Sequence, residues 1–204
     1  MKFALATANT GKIKEIQTIL GARGIDIVTR SELGIDFDIE ETGNTFLANA
    51  TLKAKAICEA TGLPAIADDS GLCVDALGGA PGVWTSSFGG EGLTDAERRS
   101  YLLDCMKNEE HRGAKFVCTI VCIFPDGGMI VATGECRGEI PLLPAGTGGF
   151  GYDPVFRAAG MDRTNAELTS DEKNIISHRG KALRQFAELY STSVYYVAEK
   201  ENNE

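Results

Sequence analysis

The sequence predicts an α/β fold on a mixed β-sheet flanked by helices, and three observations predict it. Apolar runs of strand length alternate with segments whose apolar residues recur at helical spacing. The early strands are separated by helical segments, the connection that parallel neighbours require. Later come two strand-like runs on either side of "PDGG", which read as an antiparallel hairpin. The 204 residues are enough for one large domain or for two lobes sharing a core.

Residues 2–6, "KFALA", read as the first strand. A helix over 11–21 follows, with Ile13, Ile16, Ile19 and Leu20 at helical spacing. Residues 26–29 form a short strand. A second helix covers 45–61, with Asn44 and Thr45 as cap candidates and Gly62-Leu63-Pro64 as its stop. Residues 65–68 and 72–74 read as strand fragments, with a break expected near Gly71. Thr94 caps a helix over 94–106, and Glu97 three residues on completes a capping box. Residues 114–124 and 129–135 are the hairpin strands, and 136–140 is a third strand continuing that sheet. The Gly- and Pro-rich stretch 141–154 is loop. Short helices follow over 171–176 and 181–189, and the final "EKENNE" is expected to fray.

Composition narrows the function classes. Apolar residues make up 43% and charged residues 24%, which is ordinary for a globular protein and argues against disorder. No run of about 18 apolar residues exists, so no membrane span is expected. The N-terminal "MKFALATANTGK" lacks the apolar region of a signal peptide, and a cytoplasmic protein is the expectation. Six cysteines are scattered without a Cys-x-x-Cys, and only two histidines are present, so a zinc site is not expected and the thiols are read as reduced. A net charge of −9 argues against a broad nucleic-acid surface. A small anionic ligand remains open, because a local basic pocket and a divalent cation can offset its charge.

Five segments carry candidate chemistry. In "ATANTGKIKEI", small polar residues Thr7 to Gly11 sit at a strand-to-helix turn, where backbone N–H groups suit an anion. Lys12 and Lys14 stand in the first helical turn, which the dipole disfavours for cations, so an anion is expected to join them. An ordinary capped helix with solvated lysines gives the same pattern. In "DIEETGNTFLANATLKAKA", Glu40 and Glu41 precede a helix that carries Lys53 and Lys55; dipole complements and surface lysines are the plainer alternative. In "AIADDSGL", Asp68, Asp69 and Ser70 follow an apolar run, at the strand end where α/β proteins place ligand chemistry. Adjacent strand residues point to opposite faces, so both carboxylates reach one site only if the strand has broken. A hard cation such as Mg²⁺ prefers such oxygens; an Asx-turn is the alternative. In "PAGTGGFGYDPVF", Gly146 to Gly151 match G-x-G-x-x-G, but no helix follows, so a dinucleotide site is rejected and a glycine loop around Phe150 or Tyr152 as stacking face remains. In "ELTSDEKNIISHRGKALRQF", Lys173, His178 and Arg179 form a donor cluster near a helix start.

Taken together, "TANTGK", "EETGNTF", "AIADDSGL", "GTGGFGYDP" and "ISHRG", in this order, resemble the inosine/xanthosine triphosphate pyrophosphatase family across residues 3–186. The resemblance implies one domain over 1–204, an elongated mixed sheet with two lobes around a central cleft, a cytoplasmic homodimer, and Mg²⁺ as cofactor. The acidic charge and the lack of a long apolar run add the expectation of no nucleic-acid or membrane partner. By the same resemblance Thr7, Ala8, Asn9, Thr10, Gly11 and Lys12 cradle the triphosphate, and Lys53 contacts phosphate. Glu40 and Asp69 hold Mg²⁺; Asp69 also takes the water's proton, with Asp68 and Glu41 in support. Ser70 contacts substrate, Phe150 stacks on the base, and Gly151, Tyr152 and Asp153 complete its pocket. Lys173, His178 and Arg179 contact the nucleotide. Tyr152 stands where many relatives carry Trp.

The implied reaction is hydrolysis of inosine, deoxyinosine or xanthosine triphosphate at the α-phosphorus, releasing a monophosphate and pyrophosphate. Two rivals remain at this level: a Mg²⁺-dependent phosphohydrolase for another metabolite, which would release orthophosphate, and a nucleotide- or RNA-binding module without catalysis.

Overall fold

A computed structural model describes residues 1–201; of the expected frayed tail, 202–204 lie outside the described residues. In chain order the elements are β1 (Lys2–Leu5), α1 (Thr10–Gly21), β2 (Asp26–Thr29), α2 (Phe46–Thr61), β3 (Ala65–Val74), α3 (Asp95–Cys105), β4 (Gly113–Ile123), β5 (Met129–Glu139), β6 (Arg157–Ala158), α4 (Ser170–Ile176), α5 (His178–Ser191) and α6 (Val194–Glu201). The strands form one six-stranded sheet in the order β2-β1-β3-β4-β5-β6. β1 pairs in parallel with β2, Lys2 opposite Asp26, and with β3, Ala4 opposite Ala65. β5 pairs antiparallel with β6, Gly138 opposite Ala158. The sheet is therefore mixed and the fold α/β, as the alternation of elements predicts.

The hairpin forms where "PDGG" places it. β4 and β5 are sheet neighbours, and the Phe124 N–H donates to the Gly128 carbonyl at 2.9 Å. Two boundaries differ from expectation. β5 runs unbroken through residues read as two strands. β3 likewise runs unbroken through Asp68, Asp69, Ser70 and Gly71. Gly71 is buried and is not among the glycines with positive φ. β3 has β1 and β4 as neighbours on its two sides, and pairing within the sheet overrides glycine's weak strand preference. β6 and α6 have no counterpart in the sequence reading, and α6 takes in 199–201 of the tail expected to fray; Tyr195 on α6 stacks on Phe124 with ring centroids 3.6 Å apart.

The chain divides into two compact units. The first holds Met1–Asp69, Cys118–Gly134 and the chain from Gly180 onward; the second holds Ser70–Val117 and Glu135–Arg179. In the first, the period-two rule sorts β1 cleanly. Phe3 and Leu5 join Ile16 and Leu20 of α1 and Leu183 and Phe186 of α5 in one buried cluster. Ala4 and Ala6 join Ala50, Ala54 and Ile57 of α2 in another. Helices thus cover both faces of this part of the sheet. Phe3 makes edge-to-face contacts with Phe124, Phe186 and Tyr190 at 5.1–6.4 Å. β3 obeys the same parity: Ile66 lies in the α1/α5 cluster, Ala65 and Ala67 in the α2 cluster. The second unit has its own core, with Leu72, Val74, Leu102, Met106, Phe116 and Phe156.

All six cysteines are free thiols, in line with the reduced-thiol reading. Among the described residues no helix is long and apolar enough to cross a membrane.

Candidate active site

In the first unit the site residues gather around two lysines. α1 opens with Asn9 as its cap: the Asn9 side-chain oxygen accepts from the Lys12 N–H at 3.0 Å, and the Asn9 N–H donates to Thr7 Oγ1 at 3.2 Å. Two N–H groups of the expected anion cradle are therefore engaged locally. Ala8, Asn9 and Thr10 are exposed, and Thr7 and Gly11 half-buried. The Lys12 ammonium lies 3.0 Å from Asp68 Oδ2, and the Asp68 side chain is fully buried. The anion that the dipole argument demands beside Lys12 is, in this structure, Asp68.

Lys53 is the second centre. Its side chain leaves α2 on the buried face and is only 9% exposed as a residue, which rules out the plainer alternative of a solvated surface lysine. Its ammonium donates to Asp69 Oδ1 at 3.1 Å and to Glu41 Oε2 at 3.0 Å. Burial pulls the Lys53 pKa down, but the carboxylates of Asp69, Asp68 and Glu41 outweigh it, and the net shift is upward. Asp69 lies above the usual carboxylate range: burial raises it, Lys53 opposes, and Glu41 adds to the rise. Glu40, expected as a metal ligand, is exposed, whereas its neighbour Glu41 reaches the Lys53 and Asp69 pair.

Does this set suit Mg²⁺? Asp69 and Glu41 present hard oxygen donors to one shared cation, the Lys53 ammonium, which occupies the place of a positive charge between them. Among the described residues no group of three or more His, Cys, Asp or Glu side chains forms a metal cage. One or two carboxylates completed by substrate phosphates is the usual Mg²⁺ arrangement, and these residues fit it.

The second unit holds the remaining candidates. Asp153 is buried and central. Its Oδ2 accepts from the Lys173 ammonium at 2.6 Å and from the Phe150 N–H at 2.9 Å, and Asn165 donates to its Oδ1 at 3.4 Å. Asp153 thus fastens the glycine loop. Phe150 is half-buried, with the Lys173 ammonium 4.7 Å and the Arg179 guanidinium 5.7 Å from its ring centroid. Arg179, 2% exposed, donates to Ser70 Oγ at 2.8 Å. His178 stacks on Phe116 with centroids 4.7 Å apart. Tyr152 is buried in the core, where its hydroxyl donates to the Thr85 carbonyl at 3.1 Å and burial raises its pKa. Gly148 lies against the chain's own backbone: a Cβ there would meet the Ala166 carbonyl oxygen at 2.8 Å.

The Ham1 family model matches residues 3–189 of the chain. The chain belongs to the Ham1 family. It is similar to the dITP/XTP pyrophosphatases of Shigella flexneri and Streptomyces coelicolor, each 49% identical over 187 residues that cover 90% of this chain and 94% of the relative. Among solved structures it resembles the Staphylococcus aureus Ham1 protein (TM-score 0.84, 39% identity, 94% of this chain and 98% of that one). It also resembles a HAM1 protein from Coxiella burnetii (TM-score 0.86, 41% identity, 95% and 100%).

In this Ham1-family chain the sequence reading passed over several residues that hold the site. Asn49, 3% exposed, accepts from the Gly43 N–H at 2.7 Å and donates to Asp69 Oδ2 at 3.3 Å. Its signal was available, since Asn49 and Lys53 are one helical turn apart, beside the buried Ala50 and Ala54. Asn165 on Asp153 carries no local pattern. Asp95 and Arg99 of α3 both bond the backbone of Gly151, and that 52- to 56-residue separation is invisible in sequence.

Proposed function

We propose that this chain is a nucleoside triphosphate pyrophosphatase that hydrolyses inosine, deoxyinosine and xanthosine triphosphates to the monophosphate and pyrophosphate, with Mg²⁺, as a cytoplasmic homodimer that clears these nucleotides from the pool. Membership of the Ham1 family and near 49% identity to proteins named dITP/XTP pyrophosphatases support the reaction. The observation that carries it is the buried Asp69 carboxylate, held between the Lys53 ammonium and the Asn49 amide.

Lys12 and Lys53 take the triphosphate charge, Lys12 exchanging Asp68 for phosphate oxygens. Asp69 orients the attacking water and accepts its proton, a task for which a raised carboxylate pKa is suited. Asp69 and Glu41, with Glu40 by family resemblance, would hold Mg²⁺, which when bound supplies charge neutralisation at the phosphates. Phe150 stacks on the purine, and Arg179 donates to the 6-oxo group that inosine and xanthosine carry and adenosine lacks. A buried donor left facing an amine costs roughly 1–3 kcal/mol, which gives the preference its sign.

The test is a pyrophosphate-release assay with inosine, xanthosine, guanosine and adenosine triphosphates, with and without Mg²⁺. Pyrophosphate from the first two, dependent on the metal, is expected. Release of orthophosphate, or equal turnover of adenosine triphosphate, overturns the reading.

A further inference from the structure

Helix α3 lies outside the five motifs quoted above, yet it grips the loop that carries Phe150. The Gly151 N–H donates to Asp95 Oδ2 at 2.9 Å, and the Arg99 guanidinium donates to the Gly151 carbonyl at 2.8 Å. Asp95 and Arg99 are four residues apart, so one face of α3 presents an acceptor and a donor one turn apart. They take both polar groups of a single residue, and Gly151 offers them in a left-handed conformation (φ 57°). Asp153 holds the Phe150 N–H on the other side of the same short segment. Phe150 is thereby bounded on both sides: its own amide is fixed to Asp153, and the next residue is fixed to α3.

We propose that Asp95 and Arg99 are positioning residues that set the aromatic platform for the purine by clamping the Gly151 backbone, so that α3 governs base affinity and base choice. The proposal rests on the reading of the activity given above. Neither side chain touches the reacting atoms; each acts through Gly151 on the Phe150 ring. Both bonds are charge-assisted, the stronger kind. Losing either leaves the loop free to sample other orientations of the ring, while Lys12, Lys53 and Asp69 lie in the other unit and keep their partners.

The experiment compares Asp95→Ala, Asp95→Asn, Arg99→Ala and the wild-type protein. Asp95→Ala and Arg99→Ala are each expected to raise KM for inosine triphosphate about 3- to 10-fold, less than the full loss of a charge-assisted bond because it reaches the base only through the loop, with a smaller change in kcat. The inhibition constant of inorganic tripolyphosphate, which lacks a base, is expected to stay within about twofold. Asp95→Asn keeps an oxygen acceptor and is expected to stay close to wild type. If Asp95 only complemented the α3 dipole, Asn and Ala would behave alike and KM would follow Tm; that result overturns the proposal. So does a tripolyphosphate constant that moves as far as KM, or a KM that does not move. Should the wild-type protein cleave none of the purine triphosphates, the activity reading fails by itself. The clamp is then decided by amide hydrogen exchange: faster exchange over residues 147–152 in both Ala variants supports it, and unchanged exchange overturns it.

Discussion

Asp68 and Asp69 are neighbours in the chain, yet they pair with lysines from different helices: Asp68 with Lys12 of α1 at 3.0 Å, Asp69 with Lys53 of α2 at 3.1 Å. The unbroken run of β3 explains the split. Successive side chains face opposite sides, so Asp68 follows Ile66 towards the α1 side and Asp69 follows Ala67 towards the α2 side. Two identical side chains therefore have different partners.

Asp69→Asn is expected to lower kcat by about 10²- to 10⁴-fold with little change in substrate affinity, the range for removing a general base. Asp68→Asn is expected to cost at least about tenfold less in kcat, because its carboxylate pairs with Lys12, proposed above as a phosphate contact, and is not the proposed base. Pyrophosphate release and equilibrium binding of inosine triphosphate measure the two quantities. Equal losses in both variants contradict the division of labour.

Lys53→Met removes the cation that two carboxylates share. It is expected to destabilise the fold by roughly 3 kcal/mol, since Asp69 is left buried without its counter-charge. In Lys53→Met/Asp69→Asn, where no charge is stranded, about half of that loss is expected to return. Urea denaturation of the four proteins of this cycle reads the coupling directly. Additive losses would show that Lys53 and Asp69 do not depend on each other.

Arg179→Lys is expected to narrow the preference for inosine over adenosine triphosphate by about tenfold, since a point charge does not reproduce the fixed fork of the guanidinium. Phe150→Leu is expected to weaken both nucleotides alike, because every purine offers a face for stacking. Ratios of kcat/KM for the two substrates separate these effects; a preference unmoved in Arg179→Lys rules out its role at the base edge.

Glu172 anchors the start of α4, the helix that carries Lys173. Its pKa is lowered to about 2 by its bond to Arg163 and by the cap it forms with Thr169. The folded value lies below the unfolded one, so its stabilising contribution is present above pH 4.5 and is lost as the pH falls towards 2. Glu172→Gln is expected to be less stable than wild type at pH 6 and indistinguishable from it at pH 2. Thermal unfolding across that range checks the sign; a gap that widens on acidification contradicts it.

Much of the fold is readable along the chain because its signals are local. The cap at Thr94 with Glu97 forms both reciprocal bonds. The hairpin sits on "PDGG", and α2 ends at Gly62 in a left-handed conformation. Where the reading went astray, distant partners decided. Gly71 looked like a break and is extended within a sheet that has strands on both sides. A distant partner also sets Tyr152, whose hydroxyl donates to the Thr85 carbonyl 67 residues away.

The candidate site shows the same division. The sequence by itself determined the α/β class, the order of the elements from β1 to β5, and the set of carboxylates, lysines and glycines that carries the family resemblance, because composition, periodicity and motif spacing are properties of the chain alone. Only the tertiary structure decided which carboxylate each lysine takes, that Glu41 and not Glu40 reaches Lys53, and that α3 holds the Phe150 loop at Gly151. The physical reason is range: caps and turns close within four residues, whereas these pairings join groups 12 to 56 residues apart and exist only once the strands have set their faces.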